Sequence, residues 1–251
     1  MDESGDAMTM QNDVARLIGR WLVGCLCLLC MATTVQAQGF KVELAGRTVS
    51  VPAPPDHVPV SEVDPEIFKL LDVTTPPGKR LIEVLVTPLD LERMRAGKIV
   101  EGRMFHVYED RKWAGREPTP QEWRDERENY LRIARRVDVP NAADAFEDMI
   151  NESAQRKLEG PYRIDIDAIG QPVLYRSDDS VRMFTRMSTS AQGNGRKLSA
   201  DLLIFAAIAP INGRMLSFNG FCDCAEDAER SEALRAAFDA WIDEIVAENR
   251  L

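Results

Sequence analysis

Residues 201–221, DLLIFAAIAPINGRMLSFNGF, decide the reading of this chain. Asp201 to Ala209 is an apolar run, Asn212-Gly213 is the dipeptide that fits a two-residue type I′ turn, and Met215 to Phe221 supplies the returning strand. Immediately downstream, Leu234, Phe238, Trp241 and Ile245 recur at spacings of four, three and four, which gathers them on one face of a helix. A hairpin followed by a helix with one apolar face points to an antiparallel sheet with helices packed on it, the α+β class.

The remainder of the chain fits that class. Phe40 to Leu44 and Thr48 to Val51 alternate around Ala45-Gly46-Arg47, as in a hairpin with one buried face. Pro52, Pro54, Pro55 and Pro59 then mark the only linker-like stretch. Asp64-Pro65 opens a short helix with a cap and a proline at its first position, and Thr87-Pro88 opens another that ends at Gly97. Arg80 to Val86 reads as a central strand and Ile99 to Tyr108 as the next. Thr119-Pro120-Gln121-Glu122 is a capping box that starts a helix reaching about Val137. A second helix is expected from about Ala142 to Leu158, and strands at Tyr162–Ile166, Pro172–Arg176 and Val181–Ser188.

The 251 residues are 45% hydrophobic and 29% charged, which excludes a disordered or multi-span membrane chain. With 31 basic residues against 41 acidic ones, a formal charge of -10 gives no general attraction to nucleic acid or anionic lipid. No nucleic-acid partner is therefore expected.

Residues 21–35, WLVGCLCLLCMATTV, form an uncharged apolar run after Arg16 and Arg20 and before Gln36-Ala37-Gln38. These are the parts of a secretory signal, with cleavage expected after Ala37. Residues 1–37 are thus assigned as signal peptide and 38–251 as one α+β domain, periplasmic or secreted, without stable membrane insertion. A membrane span needs about 20 apolar residues, more than this run offers. Asp2, Glu3, Asp6 and Asp13 are unusual before such a run, which makes Met8 or Met10 alternative starts. Leu22-Val23-Gly24-Cys25 is similar to a lipidation site at Cys25, but Trp21 to Gly24 is too short an apolar core, so a soluble product is preferred. Cleavage would remove two basic and four acidic residues, for a mature net charge of -8, and would take Cys25, Cys27 and Cys30 with it.

Cys222 and Cys224 would then be the only cysteines. Followed by Glu226 and Asp227 at the head of the last helix, they present two readings. Two thiolates with nearby carboxylates suit a thiophilic metal or redox chemistry, yet the Cys-x-Cys spacing is not that of zinc or thioredoxin-type sites, and two ligands do not close a metal site. In an oxidising compartment the preferred reading is a structural disulfide or an inert loop. An extended strand would hold the two Cα atoms roughly 6.5 to 7 Å apart, at the edge of disulfide reach, and a turn would bring them closer.

The other candidates reduce to structure. Asp165-Ile166-Asp167-Ala168-Ile169-Gly170 begins like a calcium loop, but position twelve is Arg176 where a bidentate glutamate belongs, so a hairpin exposing Asp165 and Asp167 is expected. Arg124, Arg127, Arg132, Arg135 and Arg136 alternate with acids along one helix and read as a solvated face with pairs such as Glu128–Arg132. His57 and His106 are the only histidines, and neither has a nucleophile nearby in sequence. Gln192-Gly193-Asn194-Gly195-Arg196 lacks the Lys-Ser/Thr ending of a phosphate loop and reads as a mobile connection. No catalytic residue, cofactor or metal is assigned.

A Pro-flanked strand at Val49-Ser50-Val51-Pro52, a strand-helix unit from Leu81 to Gly97, a long meander, and a closing strand, Ile211-Asn212-Gly213-Arg214-Met215-Leu216 turn, strand and amphipathic helix together resemble the Mog1/PsbP-like α/β/α sandwich. The resemblance implies an exported bacterial protein that serves as a binding or assembly factor, and it carries no catalytic residues. The expected function is accordingly a non-enzymatic binding or assembly-accessory protein acting on an unknown protein or small ligand. The alternatives are a thiol or metal binder at Cys222 and Cys224, or a structural envelope component.

Overall fold

A computed structural model describes residues 39–250, apart from 77, 99–101, 137–142, 145–146, 153–154, 156–162, 177–178 and 194–195. The expected signal segment lies outside the described residues. Two strands, β1 (Phe40–Leu44) and β2 (Arg47–Val51), form a hairpin of their own. An eight-stranded antiparallel sheet carries β3 (Val58–Pro59), β4 (Lys79–Val86), β5 (Met104–Asp110), β6 (Arg163–Ile169), β7 (Val173–Arg176), β8 (Val181–Gly193), β9 (Arg196–Ile211) and β10 (Arg214–Cys222). Its order is β3-β4-β5-β10-β9-β8-β6, with β7 beside β8. The α+β class read from the sequence is what the chain adopts.

The helices are α1 (Val60–Val63), α2 (Pro65–Asp72), α3 (Pro88–Arg95), α4 (Pro120–Arg136) and α5 (Ala228–Glu248), with helical turns also at 143–144, 147–152 and 155. The caps work as their sequences require. Asp64 accepts from the Ile67 amide, Thr87 from Asp90, and Asp227 from Arg230, while Thr119 and Glu122 cap each other reciprocally. The Thr119 amide and the Arg116 guanidinium hold the Glu122 carboxyl down at about 2.

Strand alternation sends side chains to two covered faces. On one face, Leu85, Phe105, Val107, Phe205, Leu216 and Phe218 pack under Leu234, Phe238, Trp241, Ile242 and Ile245 of α5, with Leu44, Val49 and Val51 of the hairpin closing the layer. Gly220 is required here, because a Cβ would stand 2.9 Å from a Phe238 ring carbon and 3.4 Å from Phe105. The same face carries buried arginines, Arg182 and Arg214. Arg182 donates to Asp239 Oδ1 at 2.8 Å and to Asp243, one helical turn apart on α5, and to Ser180 Oγ, which ties β8 to the helix.

On the opposite face, Leu81, Val84, Val86 and Tyr108 lie under Val60, Ile67, Phe68, Leu71 and Leu91 of α1–α3, and Ile208 and Met215 lie under Trp123 and Tyr130 of α4.

Several expectations need correction. The strand expected from Ile99 begins at Met104, while 99–101 fall outside the described residues. The proline-rich stretch is not merely a linker, since it contributes β3 and leads into α1. β6 and β7 do not form a hairpin with each other: both pair with β8, because the Gly170 amide donates to Arg186 O at 2.7 Å and Thr185 Oγ1 returns a bond to Gly170 O. A register shift between Ile166 and Ala168 leaves Asp167 exposed, whereas Asp165 is half-buried and paired with Arg163. On α4, Arg132 donates to Asn129 at 2.7 Å instead of forming the pair expected with Glu128. Strands β8 and β9 run far beyond the expected ends, to Gly193 and from Arg196, and Asn194–Gly195 of the connecting loop lie outside the described residues.

Candidate functional site

Cys222 is the last residue of β10 and Cys224 sits in the turn before α5, which brings their Cα atoms to 5.3 Å, and the two are disulfide-bonded. Both are buried in the core beneath α5. The neighbouring acids have other tasks or face water: Asp227 is the α5 cap and Glu226 is exposed. Among the described residues, no three His, Cys, Asp or Glu side chains come together to hold a metal ion.

Asp223, the residue between the cysteines, faces outward into a cleft of about 510 Å³ shared with Leu89, Asp90, Arg93, Gly102 and Arg230. Asp90 is buried at its floor, where Thr87 Oγ1 donates to it at 2.7 Å and Arg93 Nη1 at 3.3 Å. Gly102 is needed because a Cβ there would overlap the Asp90 carboxylate. Two arginines and two aspartates give this cleft balanced charge.

A second crevice, about 600 Å³, runs between α2 and the start of β4. Glu66, Lys69, Leu70 and Val73 align along one side of α2 by helical spacing, and Phe68 and Leu81 extend the apolar lining. Arg80 and Arg111 stand across from them. Lys69 pairs with Glu66 at 2.7 Å and Arg80 with the buried Glu109 at 2.7 Å. Arg111 Nε donates to Lys79 O at 3.1 Å, and among the described residues Arg111 makes no ion pair. Beside the crevice β4 is a true sheet edge, because β3 covers it only at Leu85 and Val86. Counting Asp72, five of the nine lining residues are charged and four are apolar, so a crevice of several hundred Å³ offers both kinds of contact to a small molecule.

The two histidines are both interior. His106 Nδ1 lies 2.6 Å from the Tyr108 hydroxyl, to which Asn219 also hydrogen-bonds, and Phe221 covers the ring with centroids 4.8 Å apart. Its Nε2 is buried and meets no hydrogen-bond partner among the described residues. Burial drives the His106 pKa down to about 3 and pushes that of Tyr108 up. His57 spans two carbonyls, with Nδ1 2.7 Å from Pro55 O and Nε2 3.2 Å from Arg103 O. Burial lowers its pKa, and the two carbonyls oppose that change. Among the described residues neither ring hydrogen-bonds to a serine, threonine or cysteine, so both read as parts of the framework.

Sequence reasoning singles out Cys222, Cys224 and the histidines, which the fold keeps inside, and misses the crevice at α2. The one available signal is Leu70, an apolar residue on the α2 side that also carries Glu66 and Lys69. A comparison with known proteins finds no family, no curated relative and no solved structure that this chain matches.

Proposed function

We propose that this is an exported, non-enzymatic binding or assembly-accessory protein with the architecture that the Mog1/PsbP-like resemblance suggests. The observation that carries the reading is the crevice between α2 and β4, where four apolar side chains and a guanidinium without an ionic partner among the described residues line a volume of small-molecule size. The buried state of His106 and of both cysteines supports binding over chemistry, since groups at 3–4% exposure cannot meet a substrate.

The test is native mass spectrometry of protein recovered from its export compartment, together with a screen for turnover. A mature chain that starts at Gln38 and retains a bound small molecule or partner is the expected outcome. Turnover that depends on His106 or on either cysteine would overturn the reading.

A further inference from the structure

Resting on the binding-protein reading above, we propose that the crevice along the open edge of β4 takes a small amphipathic carboxylate, its hydrocarbon body on Phe68, Leu70, Val73 and Leu81 and its head group on Arg111. The walls choose the body. Leu81 and Val73 are buried at the base while Leu70, at 50% exposure, is one of the large hydrophobic side chains left in water, so an apolar ligand would cover surface that the fold leaves wet.

The charges choose the head group. Lys69 and Arg80 pair with Glu66 and Glu109, and Arg111 is the lining cation that makes no ion pair among the described residues, so the end of its guanidinium is the group that can take a ligand's head. One guanidinium calls for one negative charge, and its planar fork of N–H donors matches the two oxygens of a carboxylate. A dianion would add excess negative charge beside Glu66 and Asp72, which line the same crevice. The Arg111 side chain is also pre-positioned, because its Nε is fixed on Lys79 O.

The experiment is calorimetric titration of the purified protein with octanoate, with 1-octanol as the same chain without charge and acetate as the head group without chain. Saturable octanoate binding, weaker octanol binding and no acetate binding are expected. Arg111→Gln is expected to weaken octanoate by about fivefold or more while leaving octanol unchanged, and Leu70→Asp to weaken both. Both positions are exposed, and far-UV circular dichroism and melting temperature confirm that each variant is folded. Absence of saturable octanoate binding, or equal affinity in Arg111→Gln, overturns the proposal. If native mass spectrometry then still finds a different bound species, the ligand class falls and the binding-protein reading stands. If it finds none, both fall.

Discussion

Substitution of His106 by phenylalanine should remove a specific part of the protein's acid sensitivity. The ring sits in the middle of the sheet, on the strand between β4 and β10, opposite Val84 on one side and Asn219 on the other. Tyr108 occupies Nδ1, and Nε2 faces no partner among the described residues, so nothing there compensates a second ring proton. In the unfolded chain the imidazole takes up a proton near pH 6.5, whereas in the fold it resists until about 3. A base whose folded pKa is depressed adds stability that is complete above 6.5 and declines as the pH falls toward 3, because the unfolded state binds the proton first. Each tenfold difference in proton affinity between the two states is worth about 1.4 kcal/mol, so the loss attributable to His106 is about 2 kcal/mol at pH 5 and approaches about 5 kcal/mol below pH 3. Urea unfolding of wild type and His106→Phe at several values between pH 8 and 5 measures it, in a window above most carboxylate titrations. The wild type should lose about 2 kcal/mol more than the variant across that window. His57 contributes equally to both proteins and cancels. A stability difference between the two that does not change with pH would refute the claim that His106 is held neutral by burial.

Four further outcomes follow from the packing and the polar contacts. Replacing both Cys222 and Cys224 by alanine opens a ring of only three residues, so chain entropy predicts a loss of about 1.6 kcal/mol, read as a melting-point drop of roughly 3 to 6 °C in calorimetry. Gly220→Ala should destabilise by about 1–3 kcal/mol in urea unfolding, since its Cβ would press on Phe238 and Phe105 and overpacking is not relieved by a rigid strand. Arg182→Met should cost about 2–4 kcal/mol by thermal unfolding, with Asp239→Asn and Asp243→Asn individually milder because those carboxylates are partly solvated. Nitrogen-detected NMR titration should show the His57 midpoint lowered from 6.5 and His106 neutral down to about pH 3. A His57 midpoint above 6.5 would contradict its burial between Pro55 and Arg103.

Local signals carry most of the fold. Asn212 and Gly213 both adopt positive φ, as a type I′ turn requires, and the spacing of Leu234, Phe238, Trp241 and Ile245 coincides with the buried stripe of α5. Capping residues place the starts of α2, α3 and α4 because a cap is written in three or four consecutive residues. Pairing between distant strands is not written that way. β6 and β7 are adjacent in sequence and have the pattern of a hairpin, yet the choice of β8 as common partner depends on contacts made by Gly170 and Thr185 only after folding. The ends of β8 and β9 are equally hidden, because Ser188, Thr189, Ser190 and Gln192 are polar residues without apolar alternation, held extended by the ladder. The crevice is the least legible feature. Its residues come from α2, from the start of β4 and from the turn after β5, three segments with no common spacing, and no motif joins Leu70 to Arg111.

The crevice is the site on which the binding reading rests, and a two-dimensional amide NMR titration of the protein with octanoate examines its occupancy residue by residue. Saturable shifts confined to the amides around Phe68, Leu70, Val73, Leu81 and Arg111 are expected. Shifts centred instead on Asp223 and Arg230, or no saturable shifts at all, would rule that occupancy out.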